Sequence, residues 1–355
     1  MAKFFNQLEP QSLVGAFLKH PPQDFQLVVE NEIPAFNMQF NLLTTLDTPL
    51  RKKIENLYLY KSWGKLFVFP TCFIGTTVSE YTPLLASMDA EQALTSFKKL
   101  GKDKSLTIIK DLPLDSPLLT IEENQYSQDL IKFSQKHGFI AVEGQALAYV
   151  PIDFLDREEY LSRLSKSRRK NLKRKLKSLD HLKIKWVETG AECFENSEFR
   201  KHLYALYLAV YEQSEIHFDL LTSNFFDEIL LDHNSGGRVA LYWDADILVG
   251  YNICYEYNNN FIDKYIGLNY ELAIQHNLYF VSWFVNLDYA LQQKLKYYVA
   301  GWTDPEVKAQ LGAQFTFTQH LVWIRQPVLR KILTKLKPFF EADSNWHQKQ
   351  NNPTN

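Results

Sequence analysis

One short segment, SKSRRKNLKRKLKSL from Ser165 to Leu179, concentrates positive charge. Eight of the twelve residues 166–177 are Lys or Arg, although the 355-residue chain has a formal net charge of only −2. Such a cluster binds anions: a phosphate, a nucleic acid or a membrane surface. A solvated helix face is the alternative, but it usually interleaves acids, because like charges one turn apart repel. The candidate anion-binding residues are Arg168, Arg169, Lys173 and Arg174.

The composition is that of a globular protein with room for two domains of ordinary size. Hydrophobic residues make up 46% and aromatic residues 14% of the chain. Cys72, Cys193 and Cys254 are widely spaced and odd in number, which favours a reducing compartment over a disulfide framework. We find no secretory signal and no run of roughly 20 apolar residues. A cytoplasmic location is therefore expected. No metal site is expected, because the Cys and His residues do not have the spacing of zinc ligands.

The first part of the chain predicts an α/β layer arrangement. The first 50 residues show no clear pattern. After them, helices are predicted over Asp89–Leu100 and Glu122–Lys136, and a strand over Leu106–Ile109. Two further strands, Phe139–Val142 and Ala146–Val150, are predicted on either side of Glu143-Gly144.

The second part predicts a long basic helix followed by a mixed sheet. The helix covers Asp156–Leu179, with a break near Ser165. A second helix is predicted over Asn277–Lys294, and an amphipathic helix over 328–340 either packs on its own domain or rests on an anionic membrane. The predicted strands are Arg238–Trp243, Ile247–Tyr257, Phe261–Gly267, Tyr297–Gly301 and Phe315–Ile324.

Three segments in this order resemble the GNAT acyltransferase superfamily, and more narrowly its FemAB-like group, which includes proteins of polysaccharide and peptidoglycan biosynthesis. They are EEYLSRLSKSRRKNLKRKLKSL (158–179), the stretch from Leu248 to Leu291, and GWTDPEVKAQLG (301–312). Together they cover residues 155–325. The resemblance implies a GNAT-like α/β fold with two similar halves, 1–154 and 155–340. The polar composition of the tail, 341–355, predicts that it is disordered.

The resemblance also implies a chemistry: transfer of an acyl or aminoacyl group to an amine or hydroxyl, with a small molecule or envelope precursor as acceptor. The co-substrate is then an acyl-CoA or an aminoacyl-tRNA, and no cofactor is tightly bound. Many GNAT enzymes hold the CoA pyrophosphate in a glycine-rich loop at a helix start. The matching residues here, ELAIQHN (271–277), contain no glycine, which favours the aminoacyl-tRNA.

In this superfamily a backbone amide polarises the carbonyl where the fourth strand splays from the fifth. The corresponding strands are Phe261–Gly267 and Tyr297–Gly301, and Ile262–Tyr265 would face the donor. Asp263 is the first candidate for the base that takes the acceptor's proton, since FIDKYIG places a charged pair in an apolar strand. Strand alternation predicts Asp263 and Tyr265 on one face and Lys264 on the other.

The remaining candidates are weighed against simpler roles. Glu256 is the alternative base or an exposed strand end, and Tyr265 either protonates the leaving group or packs in the core. Lys308 matches the lysine of the family's last motif. It either binds a phosphate or carboxylate of the ligand or lies on the surface. Lys264 and Trp302 are candidate walls of the cleft.

Two other hypotheses remain open. The chain could be a non-catalytic, degenerate transferase fold that holds RNA or anionic lipid through residues 166–177. Alternatively, it is a transferase that sits peripherally at the inner membrane face. Possible macromolecular partners are therefore a tRNA or an anionic membrane surface, and no pattern indicates an oligomeric state.

Overall fold

A computed structural model describes residues 3–30, 32–45, 48–214 and 217–336. The strands in this part are β1 (Phe4–Phe5), β2 (Gln26–Glu30), β3 (Ile33–Asn41), β4 (Val68–Ile74), β5 (Leu84–Leu85), β6 (Leu106–Pro113), β7 (Ile140–Pro151), β8 (Lys183–Glu188), β9 (Gly237–Asp244), β10 (Ile247–Tyr257), β11 (Asn260–Leu268), β12 (Tyr297–Gly301) and β13 (Gln314–Ile324).

The helices are α1 (Gln11–Lys19), α2 (Thr48–Glu55), α3 (Tyr60–Trp63), α4 (Ala90–Leu100), α5 (Ile121–Lys136), α6 (Arg157–Ser162), α7 (Lys166–Lys175), α8 (Ser197–Gln213), α9 (Ser223–Leu230), α10 (Tyr270–Gln275), α11 (Leu278–Gln292), α12 (Pro305–Leu311) and α13 (Pro327–Leu336). No described helix is both long and apolar enough to span a bilayer.

The chain divides into two compact units that differ from the halves expected at 1–154 and 155–340. The first unit comprises the described parts of residues 1–7, 24–146 and 316–355, and the second comprises the described parts of residues 8–23 and 147–315. The boundary falls inside β7, and the segment 8–23, which contains α1, belongs with the second unit. The expected disordered tail, 341–355, lies outside the described residues.

The first unit contains a mixed sheet in the order β2-β3-β4-β6-β13. Only the β4–β6 pair is parallel; the other neighbours run antiparallel. α4 and α5 pack with this sheet around a core that includes Phe97, Leu130 and Ile109. Both helices begin with a capping box, on Asp89 and Thr120, which satisfies the otherwise unpaired first amides. The helices predicted here are confirmed.

One prediction in this region is wrong. Residues 140–151 form a single strand, β7, instead of two strands around Glu143-Gly144. Gly144 does not make a turn. It lets β13 approach, since a Cβ there would overlap the side chain of Thr318.

The second unit contains a mixed sheet in the order β7-β12-β11-β10-β9-β8, in which only β11 and β12 are parallel. α11 lies on one face, where Phe284 and Trp283 pack with Phe261 and Tyr298. α8 and α9 cover the other face, where Phe225 and Phe226 contact the ring of Tyr265. The strands predicted at 247–257 and 297–301 have the bounds observed.

The long basic helix is broken where the sequence predicted. α6 ends at Ser162, and α7 starts after Ser165, whose hydroxyl accepts from the amide of Arg168. Leu161, Leu172 and Leu176 are buried against α11, so the apolar stripe anchors both pieces. The cationic side chains are left on the outside of the unit.

Candidate active site

The parallel strands β11 and β12 are paired over only three residues. Asn260, Phe261 and Ile262 pair with residues 297–299, and the pairing then stops, although β11 continues to Leu268. β12 ends at Gly301, which has a φ of 77°, a left-handed conformation that glycine adopts without strain. The pairing of the two strands therefore ends at Ile262, at the place where the sequence predicted them to separate. We call the region beyond this last pair, beside Asp263, the gap.

A β-bulge lies at the same position. Ile253 pairs with Tyr265 and Cys254 pairs with Asp263, so Lys264 has no partner on β10 and is an extra residue in β11. A bulge reverses the alternation of side chains beyond it. Asp263 therefore faces α11, while Tyr265 faces α9 on the opposite side of the sheet. The predicted grouping of Asp263 with Tyr265 on one face is wrong for this reason.

The Asp263 carboxylate is held by amide and hydroxyl donors from three elements. Asn252 Nδ2 on β10 donates to Oδ1 at 3.0 Å, and Asn286 Nδ2 on α11 donates to Oδ2 at 2.9 Å. The Tyr298 hydroxyl on β12 also donates to Oδ2, at 3.1 Å. Cys254 Sγ lies 3.6 Å from Oδ1. These contacts fix the orientation of the carboxylate beside the gap.

Opposing influences act on the pKa of Asp263. Burial raises this pKa above its ordinary value, because the low-dielectric surroundings disfavour the charged form. The hydrogen bonds from Asn252 and Tyr298 and the positive charge of Lys308 act in the other direction, and burial outweighs them. A carboxylate with a raised pKa is a better proton acceptor than a solvated one.

Lys308 is buried, not a surface lysine. It lies on α12, is 5% exposed and donates from Nζ to the carbonyl oxygen of Ala300 at 2.6 Å. A Cβ at Gly301 would lie 4.0 Å from this Nζ and 3.8 Å from the Asp263 carbonyl oxygen. Lys308 therefore holds the end of β12 and brings a positive charge to the gap. Trp302 follows in the turn before α12 and is half-buried.

Lys264, the bulge residue, forms a buried ion pair with Glu9. Their side chains are 7% and 0% exposed, and Nζ lies 3.2 Å from Oε1. The pair lies within the second unit, because the segment preceding α1 belongs to it. Tyr265 lies beside them, with its hydroxyl buried and without a hydrogen-bond partner. Burial raises the pKa of this hydroxyl well above 10.

Glu256 is not at the gap. It pairs with Phe261, beside the part of β11 that is still bonded to β12. Its carboxylate accepts from Arg238 Nε at 2.7 Å and from the hydroxyl of Tyr289 at 2.5 Å. Burial and this carboxylate raise the pKa of Tyr289 to about 12. The geometry gives Glu256 an ion-pairing role.

The basic helix α7 presents exposed cations and packs on α11. Lys173 is paired with Glu158 at 2.5 Å, and Arg169 is half-buried, with a contact to the Ser162 carbonyl. Arg168 and Arg174 are exposed. Lys175 Nζ lies 3.0 Å from the centroid of the Phe280 ring. This contact places Lys175 at the start of α11.

Sequence reasoning missed the amide and hydroxyl donors to Asp263. Asn252 and Asn286 are buried polar residues inside the apolar runs LVGYNICY and FVSWFVNL, and this pattern was the available sign. Tyr298 had no such sign in the sequence, because nothing distinguishes it from the other tyrosines of a chain that has 19. Within the described ranges, no group of three or more His, Cys, Asp or Glu side chains could hold a metal ion.

This architecture, in which the pairing of two parallel strands ends beside a half-buried carboxylate, is the GNAT-like α/β fold. The chain belongs to the FemAB-like family, described as peptidoglycan biosynthesis/recognition, whose model matches residues 106–353. No curated protein matches the sequence.

Solved structures share the fold at low sequence identity. The C-terminal domain of a putative lysylphosphatidylglycerol synthetase from Agrobacterium fabrum is 10% identical, with a TM-score of 0.54 and 87% of each chain covered. L-PGS from Bacillus licheniformis is 8% identical, with a TM-score of 0.54 and 93% of this chain and 97% of that chain covered. FemX is 11% identical, with a TM-score of 0.51 and coverage of 91% and 98%.

Proposed function

We propose that this protein transfers an aminoacyl group from an aminoacyl-tRNA to an amine of a peptidoglycan precursor. The observation that carries the proposal is the end of β11–β12 pairing at Ile262, next to the oriented carboxylate of Asp263. A gap of this kind exposes backbone amides that no neighbouring strand uses, and such amides stabilise a developing oxyanion. Membership of the FemAB-like family supports the peptidoglycan precursor as acceptor.

The reaction in this proposal is direct transfer. The acceptor nitrogen attacks the ester carbonyl carbon, a C–N bond forms, and the C–O bond to the tRNA ribose breaks. Asp263 takes the proton that the nitrogen loses and returns it to the departing ribose oxygen, so no external acid is consumed. The amides of residues 262–265 polarise the carbonyl, and holding both reactants in the gap supplies much of the rate.

The choice of donor rests on the surface beside α11. The start of this helix is filled by bulky side chains: Leu278 is buried, and Lys175 stacks on Phe280. A pyrophosphate cradle needs open backbone amides at a helix start, so acyl-CoA is the less favoured donor. Arg168 and Arg174 are exposed and suit the phosphates of a larger polyanion.

The test is a transfer assay with purified protein. Labelled aminoacyl-tRNAs and acyl-CoAs are offered together with soluble peptidoglycan precursor peptides, and the labelled product is quantified. We expect transfer from at least one aminoacyl-tRNA, reduced about a hundredfold or more in Asp263→Asn. Asp244 lies in the same sheet, and its carboxylate is hydrogen-bonded to His276. The variant Asp244→Asn is therefore the matched control.

Three results would reject parts of the proposal. Transfer from an acyl-CoA but from no aminoacyl-tRNA would show that the donor is an acyl-CoA. Loss of activity in Glu256→Gln, with Asp263→Asn fully active, would move the base to the other carboxylate. Binding of tRNA without transfer from any donor would favour the non-catalytic RNA-binding hypothesis.

A further inference from the structure

The region between α2 and β4 exposes an apolar, cationic surface that the proposed function does not use. Leu57, Tyr58 and Leu59 are consecutive and are 56%, 87% and 58% exposed. Leu66 is 75% exposed in the 3₁₀ turn that follows α3. Large apolar side chains that cluster on a surface mark an interaction site, whereas isolated ones do not. We call residues 51–66 the α2–α3 platform.

The platform is held in shape by its own hydrogen bonds. The amides of Tyr60 and Ser62 donate to the carbonyls of Leu57 and Leu59, at 3.1 and 2.8 Å. Trp63 Nε1 donates to the carbonyl of Tyr58 at 2.9 Å. Leu59 has a φ of 57°, an unfavourable conformation for a leucine. The backbone is thus fixed while the three side chains point into solvent.

The charge of the platform identifies its partner. Arg51, Lys52, Lys53, Lys61 and Lys65 give five cations in residues 51–66, against one anion, Glu55. Glu55 is itself paired with Arg51 at 2.9 Å. Lys52, Lys53, Lys61 and Lys65 are all exposed. Exposed apolar and aromatic side chains with exposed lysines before and after them in the sequence match the boundary of an anionic bilayer, where the apolar side chains enter and the ammonium groups stay at the headgroups.

We propose that the α2–α3 platform docks this protein onto an anionic lipid bilayer. Leu57, Tyr58, Leu59 and Leu66 insert into the boundary between headgroups and acyl chains, and the lysines contact lipid phosphates. The binding is peripheral and reversible, because the apolar area is small. The inference rests on the platform alone and stands or falls independently of the proposed transfer reaction.

The experiment is flotation of the full-length protein with vesicles. Two compositions are compared: phosphatidylcholine alone, and phosphatidylcholine with phosphatidylglycerol in equal parts. We expect flotation with the anionic vesicles, weakened by salt. Each cation that contacts the surface is expected to contribute roughly a fivefold change in partitioning. A Lys52→Gln, Lys61→Gln, Lys65→Gln variant should bind weakly and with little dependence on salt.

The apolar contribution has its own variant and a matched control. Leu57→Ser, Leu59→Ser and Leu66→Ser together should abolish flotation. Ile121→Ser with Leu155→Ser removes two apolar side chains that are even more exposed, 90% and 87%, and are each followed by an acidic residue, and this variant should float like the wild type. Melting temperature verifies that each variant is folded.

Three outcomes would overturn the proposal. The first is the absence of flotation by the wild type with anionic vesicles, and the second is equal flotation by the leucine variant. The third is self-association by the wild type in sedimentation velocity, lost in the leucine variant, without vesicle binding. That result would assign the platform to a second copy of the chain.

Discussion

The hydroxyl of Tyr298 donates to Oδ2 of Asp263 at 3.1 Å and so joins β12 to β11 one residue beyond their last backbone pair. The two strands are therefore connected by side chains at the position where their main chains separate. The same oxygen accepts from Asn286 on α11. Because the donors come from different elements, the protonation state of Asp263 is coupled to the packing of the second unit.

This coupling predicts a pH-dependent stability difference between the wild type and Asp263→Asn. Burial raises the pKa of Asp263 in the folded protein above its value in the unfolded chain. As the pH falls through the folded pKa, the native state takes up a proton before the unfolded state does. The stability of the wild type relative to Asp263→Asn should therefore rise, by up to about 1.4 kcal/mol per pH unit. Below the unfolded pKa the difference should be constant.

Melting temperatures of the two proteins, measured in parallel from neutral pH downward, provide this difference. A difference that is flat or that shrinks as the pH falls would show that the folded pKa is not raised.

A second prediction concerns Lys308. Its positive charge lowers the pKa of Asp263, so removing it should raise that pKa further. In Lys308→Met the acidic side of the kcat/KM profile should move to higher pH. The profile of kcat/KM reports the titration of groups in the free enzyme.

Lys308→Arg keeps the charge and should leave the acidic side of the profile in place. An exposed lysine, Lys201, provides the control Lys201→Met. If the profile of Lys308→Met coincides with that of the wild type, Lys308 acts through its bond to Ala300 and not through its charge.

A third prediction tests α7 as a tRNA-binding surface. Each phosphate contact contributes about 0.7 to 0.9 to the slope of log K against log salt. Arg168→Gln with Arg174→Gln should therefore reduce the slope for tRNA binding by about 1.5. Lys132→Gln with Lys201→Gln makes the same charge change on α5 and α8 and should leave the slope unchanged. Equal slopes for the two double variants would show that α7 is not part of the tRNA-binding surface.

A fourth prediction separates two roles for Tyr265. Its buried hydroxyl has no hydrogen-bond partner, so Tyr265→Phe should stabilise the protein by about 1 kcal/mol in urea unfolding. Tyr204→Phe is the contrast, because the Tyr204 hydroxyl donates to the Leu221 carbonyl at 2.9 Å, and its loss should destabilise. Loss of transfer activity in Tyr265→Phe would instead indicate that the hydroxyl protonates the leaving group.

The sequence predicted those elements whose pattern depends on their own residues. The bounds of β10 and β12 followed from alternating or continuous apolar runs, and the basic helix breaks near Ser165 as predicted. The helices α4 and α5 start within one residue of their predicted starts and end where predicted. The fold class was predicted correctly from these elements together with the family resemblance.

The candidate site was predicted only in part, because its geometry depends on how strands pair. Asp263 was identified from its unusual place in an apolar strand. The bulge at Lys264 was not predicted, since it exists only relative to the register of β10, which one sequence does not encode locally. Likewise, Lys308 was equally compatible with a surface position until its bond to Ala300 was known.

The surplus residue in β11 has a consequence for how this strand can vary. The face of the sheet on which the odd-numbered side chains lie changes at Lys264. Positions 261 and 263 face α11, whereas position 265 faces α9. Replacing a residue alters one side chain, but inserting or deleting one would exchange the two sides for every residue as far as the strand end. The length of β11 is therefore constrained more tightly than its composition, and natural variants should differ there in residue type and not in residue number.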